Sequence, residues 1–278
     1  MDIATVIGLL FGVGAILWAM YEGSHGSLGA FFSMDGFVLV LGGSLAAASM
    51  SMPLAAITGL PSYLKKYIFH KGVEPSELIT TIVQFAETAR RDGVLALESA
   101  VKDTEDPFLK KGLQLAIDGA DPAVIDQVMN IELDAVGERH HHGRKIFELM
   151  GKYGPAFGLT ATLIGQVCMF RNMAGPSGGH HAAKGGGGGG QAAQIAAALA
   201  IALLGTLYGT LWANLICGPI GDKLAVRSAE ELFNKQIIIQ GILSIQAGDN
   251  PRIVESKLVS FLSARQRQHM PSADGEKK

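Results

Sequence analysis

A chain of 278 residues that is 48% hydrophobic and only 17% charged, with a mean hydropathy of +0.28, is too apolar for an ordinary soluble domain; such domains carry about 25% charged residues. A net charge of −2 excludes the basic footprint that a nucleic-acid partner requires. The two cysteines, Cys168 and Cys217, sit inside apolar runs, which is not a disulfide framework.

A membrane span needs roughly 20 apolar residues. Four segments meet that length, about 3–20, 31–57, 153–170 and 192–220. The first is expected to be a retained span rather than a cleaved leader, because no Lys or Arg precedes it and no small-x-small site follows it. The second is long enough to tilt or to project beyond the bilayer. The third is bracketed by Lys152 and Arg171. Between spans two and three, residues 60–152 read as helical. Pro75-Ser76-Glu77 opens a helix with Ser76 as its cap and apolar positions at Leu78, Ile79, Ile82, Val83 and Phe85. Asp92-Gly93 breaks it, and a short helix follows over Val94–Lys102. Asp106-Pro107 and Asp121-Pro122 open two more, and the last runs into span three. The tail, 221–278, predicts helices over Ser228–Ala247 and Pro251–Arg265, then a polar, disordered end from Met270.

Basic residues orient the spans. Of 23 Lys and Arg, 12 fall in 60–152 and nine in 221–278; residues 1–59 contain none. Both termini and the 60–152 loop are therefore expected in the cytoplasm, with 21–30 and 171–191 outside. The expectation is an all-α integral membrane protein of the bacterial inner membrane. Its helical cytoplasmic domain is made by the 60–152 loop together with the tail. The outer loop holds His180-His181 and a Gly185–Gly190 tract, which reads as a flexible linker; two adjacent histidines are too few for a metal site. His140-His141-His142 reads either as a pH sensor or as inert surface.

Ion-conducting segments usually carry an ionisable residue at depth. These spans have none there, since Asp2, Glu22 and Asp35 lie at span ends. If the protein moves ions, the titratable group must come from another chain. Polar positions do occur: Thr160, Thr162 and Gln166 in span three, and Thr206, Tyr208, Thr210 and Asn214 in span four. They read as helix–helix hydrogen bonds or as the polar lining of a pathway shared with a partner helix. Small residues recur four apart at Gly8/Gly12, Gly154/Gly158, Ala161/Gly165 and Gly205/Gly209, the pattern of closely packed, oligomeric bundles. Pro155 and Pro219 read as a helix start and a helix end, or as hinges between membrane and cytoplasmic parts.

Three colinear strings carry a family resemblance across nearly the whole chain. Glu87-Thr-Ala-Arg-Arg-Asp-Gly-Val-Leu-Ala-Leu-Glu98 resembles the cytoplasmic loop of the flagellar motor stator A subunits, the MotA/PomA family. Ile146 to Gly165 resembles that family's approach to span three, and Gly205 to Ile220 its span four. The resemblance implies five A subunits around a dimer of peptidoglycan-anchored B subunits. The B subunit's helix would supply the missing acid for H+ or Na+ flow, and the A ring would push the rotor switch protein. It implies rotor-contact roles for Arg90 and Glu98, with Arg91 not separable from Arg90 by sequence. It also implies hinge roles for Pro155 and Pro219, and pathway roles for Thr162, Thr206 and the neighbouring Tyr208. No metal and no cofactor are expected beyond the transported H+ or Na+. No nucleophile–base motif, phosphate loop or metal-ligand spacing stands out, so the chain is not expected to be an enzyme. The outer loop is longer than the family pattern. The competing function is an ExbB/TolQ-like energiser; such relatives usually have three spans and lack the Arg90–Glu98 loop. A transporter would show internal repeats or a mid-membrane substrate site, and neither is visible.

Overall fold

Apolar periodicity, proline-initiated turns and glycine stops partition this chain into helices, as a computed structural model of it shows. The structure describes residues 3–61, 63, 73–173 and 191–267. The Gly185–Gly190 tract, His180, His181 and the polar end from Met270 lie outside the described residues. In chain order the helices are α1 (Ile3–Gly23), α2 (Met34–Ser51), α3 (Leu54–Thr58), α4 (Pro75–Asp92), α5 (Leu97–Asp103), α6 (Pro107–Ile117) and α7 (Pro122–Met173). Then come α8 (Gln191–Leu211), a π-helical stretch Trp212–Cys217, α9 (Gly218–Gln246), α10 (Pro251–Val259) and α11 (Ala264–Arg267). Short 3-10 turns lie at Leu28–Phe31 and Val94–Ala96, and no strand occurs among the described residues.

Among the described residues, three helical stretches are long and apolar enough to cross a membrane: Val6–Gly23, Leu28–Ser51 and Ile195–Gln246. The expected span 153–170 is helical throughout as part of α7 but is not among them. Its glycines, Thr160, Thr162 and Gln166 dilute its hydropathy. Three boundaries differ from expectation, the first being the tail helix expected over Pro251–Arg265, which stops at Val259 and is followed by a separate short helix at Ala264–Arg267. The 31–57 segment is not one helix: Met52 is extended (φ −138°) and α3 restarts after Pro53. The cause is steric, since a proline disfavours helical backbone in the residue before it. In the tail no new helix begins at Ser228, because α9 has been helical since Gly218.

The chain divides into two units, Met1–His70 with His142–Leu224, and Lys71–His141 with Ala225–Lys278. In the first, small residues set the packing. Gly154, Gly158, Ala161 and Gly165 of α7 face Ala198, Ala202, Gly205 and Gly209 of α8. A Cβ at Gly158 would sit 2.8 Å from the Gly205 carbonyl oxygen, and one at Gly209 would sit 2.6 Å from that of Gly154. The two backbones are in contact, which only this pattern of small residues permits. On α2, Gly36 and Gly43 leave room for Tyr208 and Phe157 in the same way. On α1 a Cβ at Gly8 would meet open space, whereas one at Gly12 would sit 3.0 Å from the Leu215 side chain, so of that pair Gly12 alone is in a close intrachain contact among the described residues.

The second unit has its own apolar core. Leu78, Ile79, Ile82 and Ala86 line one face of α4, and they pack with Leu113, Met129, Ile242 and Leu258 from α6, α7, α9 and α10. The capping position of α4 is Glu74 and not Ser76, because Pro75 takes the first helical position; the Ser76 hydroxyl turns back to the Glu74 carboxylate at 3.3 Å. Asp106 and Asn250 cap α6 and α10 through side-chain bonds to backbone N–H groups, each followed by proline. Gly93, at φ +87° and ψ 158°, stops α4 in a conformation reserved for glycine.

Two expected outcomes test this packing. Gly93→Ala meets no steric neighbour but must adopt the strained backbone, costing about 1–3 kcal/mol, read as a lower Tm of the purified protein. At the other end of the unit, Lys257 donates to Asp249 at 2.6 Å. That hydrogen bond, stronger than the opposing desolvation, holds the Asp249 carboxyl below its ordinary value of 3.8. A depressed folded-state pKa stabilises above the unfolded value and ceases to as pH falls through the folded one. The Tm gap between wild type and Asp249→Asn is therefore expected at neutral pH and should close on acidification below 3.8.

Candidate functional site

The polar residues of the expected third and fourth spans sort into two groups. Thr160, Thr210 and Asn214 bond back to carbonyls one turn earlier on their own helices, at 2.9–3.0 Å. Thr162 instead reaches across. Its hydroxyl lies 3.0 Å from the Ala202 carbonyl oxygen of α8, 3.2 Å from Gly158 and 2.5 Å from the Thr206 hydroxyl. Thr206 comes within 3.5 Å of the Gly158 carbonyl oxygen. The hydroxyl pair thus sits where glycine lets α7 and α8 touch, and Thr206 is exposed on the outer side of the contact. Two hydroxyls and the Gly158 and Ala202 carbonyls make an all-oxygen cluster at one level of the bundle. Such a cluster can hold two helices together, and it can also solvate a cation or a water.

Tyr208 is bound elsewhere. Its hydroxyl accepts from the Ser33 N–H at 2.7 Å and donates to the Phe31 carbonyl at 2.6 Å, while its ring packs edge-on to Phe37. Both hydrogen-bonding functions of the phenol are used on the turn that starts α2. The structure thus gives Tyr208 a clasping part that its position in the sequence did not suggest. Glycine at 36 was the available signal, because it clears the space the ring occupies.

Both prolines lie within helix. Pro155 is inside α7 without ending or starting it, so the Gly151 carbonyl has no i+4 donor. Pro219 is the second residue of α9, and α9 continues beyond it. The preceding turn makes room by widening: Trp212–Cys217 is π-helical and the Gly218 N–H reaches the Ala213 carbonyl, five residues back. The readings of Pro155 as a helix start and of Pro219 as a helix end are thereby set aside. Near these irregularities Trp212 packs on Gly154, and its buried indole N–H has no partner among the described residues.

In the second unit, Arg90 and Glu98 flank the Gly93 stop and both are exposed. The structure separates Arg90 from Arg91. Arg91 forms a two-pronged ion pair with Asp92 at 2.8–3.1 Å, and Asp92, chiefly through that hydrogen bond, raises the guanidinium pKa. Arg90 forms no ion pair with any described residue. Glu98 has only a loose contact with Lys102, 3.6 Å and open to solvent, which is worth about 0–1 kcal/mol. Among the three histidines, His140 is partly enclosed, with Nδ1 3.0 Å from the Ser228 hydroxyl and Nε2 3.7 Å from Glu231.

A helical protein whose apolar helices are long enough to cross a membrane, with glycine-rich faces in contact and an oxygen cluster between them, has the character of a helix-bundle membrane protein. Residues 100–236 match the MotA/TolQ/ExbB proton channel family. The chain is 37% identical to Motility protein A of Borreliella burgdorferi over 99% of both chains. It is 35% identical to Chemotaxis protein PomA of Vibrio alginolyticus, over 96% of this chain and 98% of that one. A chain of the flagellar MotAB stator complex from Bacillus subtilis has the same fold, with a TM-score of 0.82 and 27% identity over 95% of this chain and 98% of that one. The chain belongs to the MotA/TolQ/ExbB proton channel family.

The contact between α7 and α8 depends more on absence of side chain than on hydroxyls. Gly158→Leu should cost on the order of 1–3 kcal/mol or more through overpacking against Gly205. Thr162→Val should cost about 0.5–2 kcal/mol. The Tm of detergent-purified protein checks the order: the glycine variant falls further.

Proposed function

We propose that this chain is the A subunit of a flagellar motor stator, an inner-membrane ion-channel component that turns cation flow into rotor torque. Full-length similarity to Motility protein A and to Chemotaxis protein PomA carries the proposal. The spans 3–20, 31–51, 153–170 and 192–220 cross the membrane, with 60–152 and 221–278 in the cytoplasm. The Lys and Arg asymmetry supports that orientation. The apolar outer faces of the spans support lipid or subunit contact; Phe11 on α1, for example, is 78% exposed.

Because the spans lack an acid, the channel needs a B-type partner whose helix supplies one, with five copies of this chain around a pair of such helices. The match to a chain solved within a MotAB complex supports the pairing. H+ or Na+ passing the partner's carboxylate discharges and recharges it. The Thr162–Thr206 oxygen cluster, with Thr206 on the open side, suits it for solvating that cation. Pro155 and Pro219 mark places where α7 and α9 lack a full hydrogen-bond ladder and bend at low cost. Arg90 and Glu98, exposed and weakly engaged, meet complementary charges on the rotor switch protein, where such charges steer and register the contact.

Swimming tests this. In a flagellated strain lacking all stators, this chain expressed with its B subunit should restore swimming, and Arg90→Ala/Glu98→Ala should remove it at unchanged membrane level. Comparing buffers with and without Na+ names the ion. Failure to swim with both chains verified in the membrane would overturn the proposal.

A further inference from the structure

The turn between α4 and α5 places one apolar side chain where the folded unit has no use for it. Val94 packs against the core and Leu97 is fully buried, so both neighbours anchor the turn from below. Leu95 between them is 73% exposed, the highest value among the large apolar residues described in that unit. It cannot relieve this by rolling inward. The Ala96 N–H is bonded to the Gly93 carbonyl at 3.0 Å, and Gly93 holds the strained conformation that aims the turn. Arg90 stands before this turn and Glu98 just after it. The connection therefore reads cation, protruding leucine, anion.

Charges of this kind contribute little to a contact while they stay hydrated. A contact that must transmit force needs a short-range element that excludes water, with charges at its rim. We propose that Leu95 is the apolar anchor of the rotor contact, seating in a depression of the rotor protein bordered by an acidic group on one side and a basic group on the other. The inference rests on the stator reading above and adds the residue that desolvates the contact.

The test uses the full chain with its B subunit in the stator-less strain, and compares Leu95→Met, Leu95→Ala and Leu95→Asp for swimming, membrane level and the Tm of purified protein. The expected result is wild-type swimming for Leu95→Met, slower swimming for Leu95→Ala and loss of swimming for Leu95→Asp, with level and Tm unchanged. If Leu95→Asp lowers the level or Tm, Leu95→Asn decides by the same criterion. Wild-type swimming of the polar Leu95 variant, while Arg90→Ala/Glu98→Ala does not swim, overturns the anchor and leaves the stator reading intact. Wild-type swimming of both would overturn the rotor contact at this connection and the anchor with it.

Discussion

Backbone contact between α7 and α8 is the constraint on which the membrane unit depends. In a bilayer the lipid is as apolar as any leucine, so helices gain little by burying large side chains. They gain by approaching closely. The Gly154–Gly158–Ala161–Gly165 row against Ala198–Ala202–Gly205–Gly209 does this, and the oxygen cluster follows from it. Thr162 reaches a carbonyl on the neighbouring helix only because no side chain stands between. Tyr208 then secures the start of α2 to the same pair. A methyl group in place of a hydrogen at Gly158 or Gly209 would meet the facing backbone at 2.8 or 2.6 Å, so the helices would have to move apart.

Where the ladder of backbone bonds is interrupted, the chain handles the two cases differently. Pro155 leaves a carbonyl without its donor inside a helix that otherwise continues. Pro219 is preceded by a widened turn that shifts the donors by one residue. Polar groups left over in an apolar medium are costly, so such places persist only where neighbours or water meet the need. The indole N–H of Trp212, without a partner among the described residues and packed on Gly154 next to Pro155, belongs to the same neighbourhood.

The sequence showed the helices well wherever a local rule governed them. Asp-Pro starts at α6 and α7, the glycine stop at 93 and the period of α4 were all visible in the residues. The four-residue spacing showed which residues are small, but not that Gly154 meets Gly209 or that Gly8 meets nothing, because partners are tertiary facts. Pro53 was a readable breaker inside the second segment that hydropathy alone passes over. Arg90 and Arg91 are equivalent in sequence and differ only through the neighbour each finds; Asp92 takes one and leaves the other. Tyr208 stood out in the sequence only as a polar residue of its span; its two hydrogen bonds to the start of α2 are tertiary facts that the sequence does not show.

The segments 3–20, 36–57, 153–170 and 192–220 contain no Asp, Glu, Lys, Arg or His. A unit charge moved through a membrane potential exchanges about 2.3 kcal/mol per 100 mV. A scaffold carrying no charge at depth exchanges almost nothing. Voltage therefore finds no charged side chain within these segments to pull on. In the stator proposed above, electrical work would enter through the permeating cation and the group that binds it, and these helices would feel the field at second hand, through whether that group is occupied.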